Sequence, residues 1–178
     1  MWCWPRGQNF DAAAPAGRPY FEEKVDTPMQ LVRFEAEHLP AYQSWFSSDP
    51  ALRAFLGPPP DQAWLNHILQ ETNGRQYACM AEGKLLAVAG LLVPQEAHPY
   101  WVLTDLAVCP SRQRLGWGSR VWQEVHRLHL PAPGQFWVSY VHWANRVAHA
   151  FLIRNQWRCA RPDPDAEGML RFEYGLDT

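Results

Sequence analysis

The stretch from Leu106 to Leu128 constrains the fold of this chain more than any other part. It begins Leu-Ala-Val-Cys-Pro-Ser-Arg-Gln-Arg-Leu-Gly-Trp-Gly-Ser and continues with apolar residues at helical spacing, Val121, Trp122, Val125 and Leu128. The β-branched and aromatic residues from Tyr100 to Cys109 predict a strand, and Pro110 ends it. A strand therefore passes through a short loop into a helix N-terminus. The first N–H groups of a helix lack intrahelical partners and lie at the positive end of its dipole, so such a terminus holds anions, phosphate among them. Gly116 and Gly118 let a ligand approach the backbone and permit the dihedral angles of a turn of successive donors, while Arg112, Arg114 and Arg120 add positive charge. Glycines at such a junction also serve a turn alone, and the pair by itself is consistent with either role. Two other phosphate motifs are excluded. A dinucleotide fingerprint needs glycine or alanine where Val121 stands, and a Walker loop needs a Gly-Lys-Ser/Thr that is absent.

The rest of the chain sets this junction in one domain. With 178 residues, one substantial core is the default. Residues 1–28 show neither helical nor strand periodicity and read as a loosely ordered extension; the alternative is a segment that packs on the domain, or on a second subunit, through Trp2, Trp4 and Phe21. A homodimer is thus left open. Residues 29–178 form the regular domain. Gln30 to Glu35 alternates as a strand, Glu37 to Phe46 has helical spacing, and Ser48-Asp49-Pro50 starts a short helix that Pro58 to Pro60 end. A further helix starts at Asp61 and is expected to stop at Asn73-Gly74. Arg75 to Ala81 and Leu85 to Val93 form a hairpin through Glu82-Gly83-Lys84.

Composition excludes several classes. A net charge of -2 does not favour nucleic acid. No apolar run approaches the roughly 20 residues of a membrane span. The four cysteines are scattered without a Cys-x-x-Cys pair, so no zinc site or disulfide framework is expected, and a reducing, cytoplasmic setting is the natural reading. His126 and His129 share a helix face without further ligands at metal spacing, so no metal is expected. Most of the ten tryptophans, among them Trp64, Trp122, Trp137 and Trp157, lie on apolar faces and read as core.

The run Val108 to Gly118 resembles the acyl-CoA pyrophosphate loop of the GNAT superfamily of N-acyltransferases, whose pattern Gln/Arg-x-x-Gly-x-Gly/Ala is met by Gln113, Gly116 and Gly118. Downstream, a strand over Phe136 to Tyr140 leads to Asn145, Ala148, Phe151 and the pair Gln156-Trp157, similar to the family's Asn-x-x-Ala-x-x-Phe-Tyr helix and the Gly-Phe after it. Ser48-Asp49-Pro50 and Phe55-Leu56-Gly57 also resemble the subgroup that acetylates ribosomal-protein N-termini. The resemblance implies an α/β (α+β) fold: a single GNAT-like domain with a central mixed, mostly antiparallel sheet of about six or seven strands, splayed at its centre and flanked by about four helices. It implies acetyl-CoA or another acyl-CoA as cofactor, bound by Leu106, Ala107, Val108, Gln113, Arg114, Leu115, Gly116, Trp117, Gly118, Ser119, Asn145 and Phe151. The implied activity is acetyl transfer to a primary amine of a small molecule or a protein N-terminus, by direct attack in a ternary complex. A non-catalytic acyl-CoA-binding sensor or interaction module is the alternative.

Two positions depart from the pattern. Leu152 stands where the family commonly has a tyrosine that protonates the leaving thiolate, and Gln156-Trp157 replaces Gly-Phe. The first loss is tolerable, because a thiol of pKa about 8.5 leaves adequately unprotonated. Attack is the harder requirement, since an alkyl amine of pKa about 10 must first lose a proton. Candidate bases are Asp105 on the cofactor strand, His142 after the next strand, and Glu96 and His98 in the loop before Tyr100. Each also has a plain structural reading: a buried polar partner for Asp105, a helix cap for His142, solvated loop residues for the other two. Asn145 is expected to contact the cofactor arm, to cap its helix, or both.

Overall fold

The computed structural model describes residues 28–175; of the expected extension 1–28, all but Pro28 lies outside them. Seven strands form one sheet in the order β1-β2-β3-β4-β5-β7-β6: β1 (Met29–Arg33), β2 (Gly74–Ala81), β3 (Lys84–Leu92), β4 (Trp101–Val108), β5 (Trp137–His142), β6 (Arg158–Arg161) and β7 (Met169–Tyr174). Only β4 and β5 are parallel, and every other neighbouring pair is antiparallel. Five α-helices cover the sheet among the described residues: α1 (Leu39–Ser48), α2 (Pro50–Leu56), α3 (Gln62–Gln70), α4 (Trp117–Leu128) and α5 (Arg146–Arg154). The short α2, which follows α1 directly, is the helix expected from Ser48-Asp49-Pro50. No helix of the described residues is long and apolar enough to cross a membrane.

Each face of the sheet has its own core. Phe34, Leu39, Tyr42, Phe46, Leu52 and Leu65 bring α1, α2 and α3 onto Ala78, Val88 and Ala107 of the strands. On the other face, Val121, Trp122 and Val125 of α4 and Leu152 of α5 pack with Ala87, Leu91, Leu103, Trp137 and Phe172. Trp122 meets Trp157 at 4.8 Å and Trp137 edge-on at 5.1 Å between ring centroids. These tryptophans are therefore core, as their apolar faces predict.

Local chemistry explains most boundaries. Asp49 caps α2 by accepting from the Ala51 N–H, with Pro50 in the first turn, and Asp61 caps α3 by accepting from the Trp64 N–H. Glu82 and Gly83, at φ 52° and 69°, make the two-residue reversal between β2 and β3. The stop of α3 differs from expectation. The helix ends at Gln70, Gly74 already belongs to β2, and its φ is not positive. What Gly74 supplies is room, since a Cβ there would stand 2.7 Å from Cγ of Glu71.

Gln156, in the turn from α5 to β6, holds φ 66°. A non-glycine residue in this left-handed region costs about 1–2 kcal/mol, of which glycine's extra chain entropy would return about 0.5–1. Gln156→Gly is accordingly expected to stabilise the protein by about 0.5–1 kcal/mol, seen as a higher denaturant midpoint at unchanged slope.

Candidate active site

The sheet opens where its two parallel strands separate. β4 and β5 pair only at Trp101 with Trp137 and Val102 with Val138. One step further the Ser139 hydroxyl donates to the Leu103 carbonyl at 3.0 Å, satisfying a backbone group that the ladder has left. Beyond this point β4 has a neighbour on one side only, β3. Its register against β3 shifts between Gly90 and Leu91, which makes Thr104 an extra residue. Leu103 and Leu106, three apart, consequently serve the same core, while Asp105 and Ala107 turn to the face of α1. At the far end the Cys109 N–H donates to the Leu86 carbonyl on β3. Because successive backbone groups along a strand point in opposite directions, the N–H groups of Val108 and Leu106 are directed into the opening.

The loop after β4 completes the mouth of this cleft. Gly116 is the N-cap of α4 at φ 83°, and the first helical bond runs from the Arg120 N–H to the Gly116 carbonyl. The backbone N–H groups from Gln113 to Ser119 donate to no partner among the described residues. They form a row of free donors at the positive end of a helix, the arrangement that a diphosphate needs. A Cβ on Gly116 would meet nothing within 4 Å, so that glycine is required by its backbone angle alone. Gly118 is different: a Cβ there would lie 3.2 Å from Phe151 and 3.7 Å from Val108. α4, α5 and β4 therefore converge on Gly118 at the edge of the cleft.

The other residues expected at the cofactor divide into two groups. Leu106, Val108, Gln113, Gly118 and Phe151 come together here. Gln113 donates through Nε2 to the Val108 carbonyl at 3.2 Å and to Oδ2 of Asp49 at 2.8 Å, which ties the loop to the start of α2. Trp117 is buried in the core, leaving only its backbone to the mouth, whereas the Arg114 and Leu115 side chains are exposed. Asn145 caps α5, its Oδ1 accepting from the Ala148 N–H at 3.1 Å. Leu152 is 2% exposed and part of the α4-side core, so it presents nothing to the cleft.

Asp105 projects from the bulge toward α1. Its Oδ1 accepts from the Thr104 hydroxyl at 2.8 Å and its Oδ2 from Gln76 Nε2 at 2.9 Å. Although the residue keeps some exposed surface, the protein packed around its carboxyl raises the pKa above the ordinary 3.8, and the bonds from Thr104 and Gln76 only partly oppose this. Burial also raises the pKa of Tyr42 on α1, and the charge of Asp105 adds to that shift. Gly90 makes the placement possible, because a Cβ there would overlap the Asp105 carboxylate.

The remaining candidate bases stand in different surroundings. His142 Nδ1 accepts from the Ala144 N–H at 3.2 Å, which in the neutral ring leaves the proton on Nε2. In that state the ring is a donor. Glu96 is exposed between β3 and β4 and makes no hydrogen bond or ion pair among the described residues. His98 lies in the same loop, its Nδ1 3.5 Å from the Tyr100 hydroxyl. Tyr140 of β5, which sequence reasoning did not single out, shares the α2-side face with His142. Its pKa is raised first by burial and then by a hydrogen bond with Tyr100, against the lowering charges of Arg171 and Arg161. Gln76, Thr104 and Gly90 were also missed. The isolated glycine inside a strand was the available signal, since such a residue marks a bulge or a close approach.

Comparison with known proteins agrees with this fold. The family described as "Acetyltransferase (GNAT) family" matches residues 31–154. No curated protein gives a significant sequence match. Among solved structures, an acetyltransferase from Thermus thermophilus superimposes with a TM-score of 0.67 at 16% identity, covering 83% of this chain and 97% of that one. The acetyl transferase of Salmonella typhimurium that modifies the N-terminal serine of ribosomal protein L7/L12 gives 0.70 at 15% identity, covering 85% and 96%. The spermidine N-acetyltransferase of Vibrio cholerae, solved with CoA and spermine, gives 0.66 at 12% identity, covering 82% and 94%. At these identities the likeness is one of fold.

Proposed function

Since the chain belongs to the acetyltransferase (GNAT) family, we propose that it moves the acetyl group of acetyl-CoA to a primary amine of a small molecule or a peptide N-terminus. The observation that carries this reading is the row of unbonded N–H groups from Gln113 to Ser119 beside an opened pair of parallel strands. The donors suit a diphosphate, and the opening suits a narrow arm that ends in a thioester. Acetyl-CoA would supply an acyl group on a thiol whose pKa, about 8.5, makes it an adequate leaving group without an acid. That fits a chain whose Leu152 is buried apolar core.

In this reading the protein's own groups divide the work. The N–H groups of Leu106 and Val108 polarise the carbonyl under attack, and the amides of Gly116, Trp117, Gly118 and Ser119 fix the diphosphate. Asp105 accepts the proton that the attacking amine must lose; burial, by raising its pKa, increases its basicity toward that amine. Gln76 and Thr104 hold the carboxylate in place. The subgroup resemblance through Ser48-Asp49-Pro50 and Phe55-Leu56-Gly57 brackets α2, and with the Salmonella relative it keeps a peptide N-terminus among the acceptors. The test is release of free thiol by the purified protein from acetyl-CoA in the presence of a broad amine panel. Amine-dependent release above the amine-free rate is the expected result. CoA binding without such release across the panel points instead to a non-catalytic acyl-CoA-binding module.

A further inference from the structure

We infer that the amine accepted at this site carries an aromatic or similarly flat apolar group, held against a wall formed by Phe55, His142 and Trp143; the inference rests on the acetyl-transfer reading above. Phe55, on the last turn of α2, lies 6.3 Å from the His142 ring, and His142 lies 5.9 Å from Trp143, between centroids. Phe55 is 37% and Trp143 51% exposed, so two large apolar side chains stay in water beside a well-packed core. Phe55 comes from α2, on the side of the sheet to which Asp105 projects, Trp143 follows the end of β5, and Tyr140 (39% exposed) continues the aromatic surface one pleat back from His142. The wall therefore lies at the end of β5 that has parted from β4, the opening in which the thioester is placed above.

Carboxylates on the neighbouring loop suit an ammonium group, although Arg161 and Arg171, whose charges reach Tyr140, oppose them at that end of the wall. The loop from β6 to β7 closes on the wall through Gly168, whose missing Cβ would sit 3.0 Å from the His142 ring and 3.1 Å from Trp143, and the Trp143 N–H donates to the Gly168 carbonyl. Asp165 of that loop is spent on the N–H groups of Glu167 and Met169. The side chains of Asp163 and Glu167 are exposed and make no bond among the described residues, which leaves them to draw in a cation. A cationic nitrogen with an apolar ring matches both halves: acid at the rim, aromatic faces inside, where stacking and cation–π contact act together.

Alaninamide and phenylalaninamide, amines that differ by one phenyl ring, separate this from general amine acetylation. With the full chain and saturating acetyl-CoA, kcat/KM from thiol release is expected to favour phenylalaninamide by about tenfold or more. Phe55→Ala and Trp143→Ala, both at exposed positions, are each expected to shrink that preference by raising KM for phenylalaninamide at similar kcat, with CoA affinity and melting temperature unchanged. Equal kcat/KM for the two amides overturns the inference, as does a preference that survives both substitutions or a higher kcat/KM for spermidine, a polycation without a ring. Those outcomes leave acetyl transfer standing. Thiol release that no amine of the panel raises above the amine-free rate, at normal CoA binding, overturns the transfer reading and this inference with it.

Discussion

Asp105→Asn is expected to lower kcat for acetyl transfer by about a hundredfold to ten-thousandfold, the usual contribution of a positioned base, while leaving CoA affinity unchanged. The same variant is expected to be more stable than the parent at neutral pH. Burial raises the folded-state pKa of Asp105 above the ordinary 3.8, so folding favours the protonated form. The stability associated with that form is complete below about 3.8 and is lost as pH rises through the folded pKa. Asparagine cannot ionise and escapes the loss. Its amide replaces the carboxylate without a change of volume, and Gln76 can turn its own amide to accept where it formerly donated. Thermal melts from pH 4 to pH 8 with steady-state rates check both halves: the melting temperature of the variant should overtake that of the parent as pH rises. A variant that keeps its kcat removes Asp105 from the proton's path, whatever the melts show.

Gly116→Val is expected to weaken CoA binding by about tenfold to a hundredfold, with the fold retained. At φ 83° this position resists any β-branched residue. The side chain itself would meet nothing within 4 Å, so the strain falls on the backbone that aims the amides of Trp117, Gly118 and Ser119. A hydrogen bond to a charged group contributes about 1.5–3 kcal/mol, and each 1.4 kcal/mol is tenfold in affinity; losing the aim of one donor accounts for the expected range. Calorimetric titration with CoA, and with pantetheine as the same arm without phosphates, isolates the effect. Affinity for CoA should fall and that for pantetheine should not. Equal losses for both would mean that the diphosphate is held elsewhere.

What the sequence disclosed followed the range of the interactions concerned. Asp49 and Asp61 cap helices through partners two and three residues away, and Glu82-Gly83 turns a hairpin within its own span, so all were legible. The strand, loop and helix around Gly116 were legible for the same reason. β6, with the sequence Arg-Cys-Ala-Arg, has no apolar alternation because it is an edge strand with mostly exposed side chains; only pairing with β7 defines it. The end of α3 was misplaced because Gly74 looks like a helix stop, whereas its short side serves the neighbouring Glu71. At the site, Asp105 could be nominated but not explained. Its partner Gln76 is 29 residues away, and the space it fills is left by Gly90 on a third strand. The wall of Phe55 and His142 joins residues nearly half a chain apart, and no local pattern carries that.

The two residue pairs between β4 and β5 leave this sheet as two leaves bound along a short spine: β1 to β4 on one side, β5 with β7 and β6 on the other. A guest lodged between the leaves takes hydrogen bonds from strand edges that have no rungs of their own, and so completes the sheet as well as occupying it. Binding and cohesion of the domain are then one property, and whatever tightens the first stiffens the second.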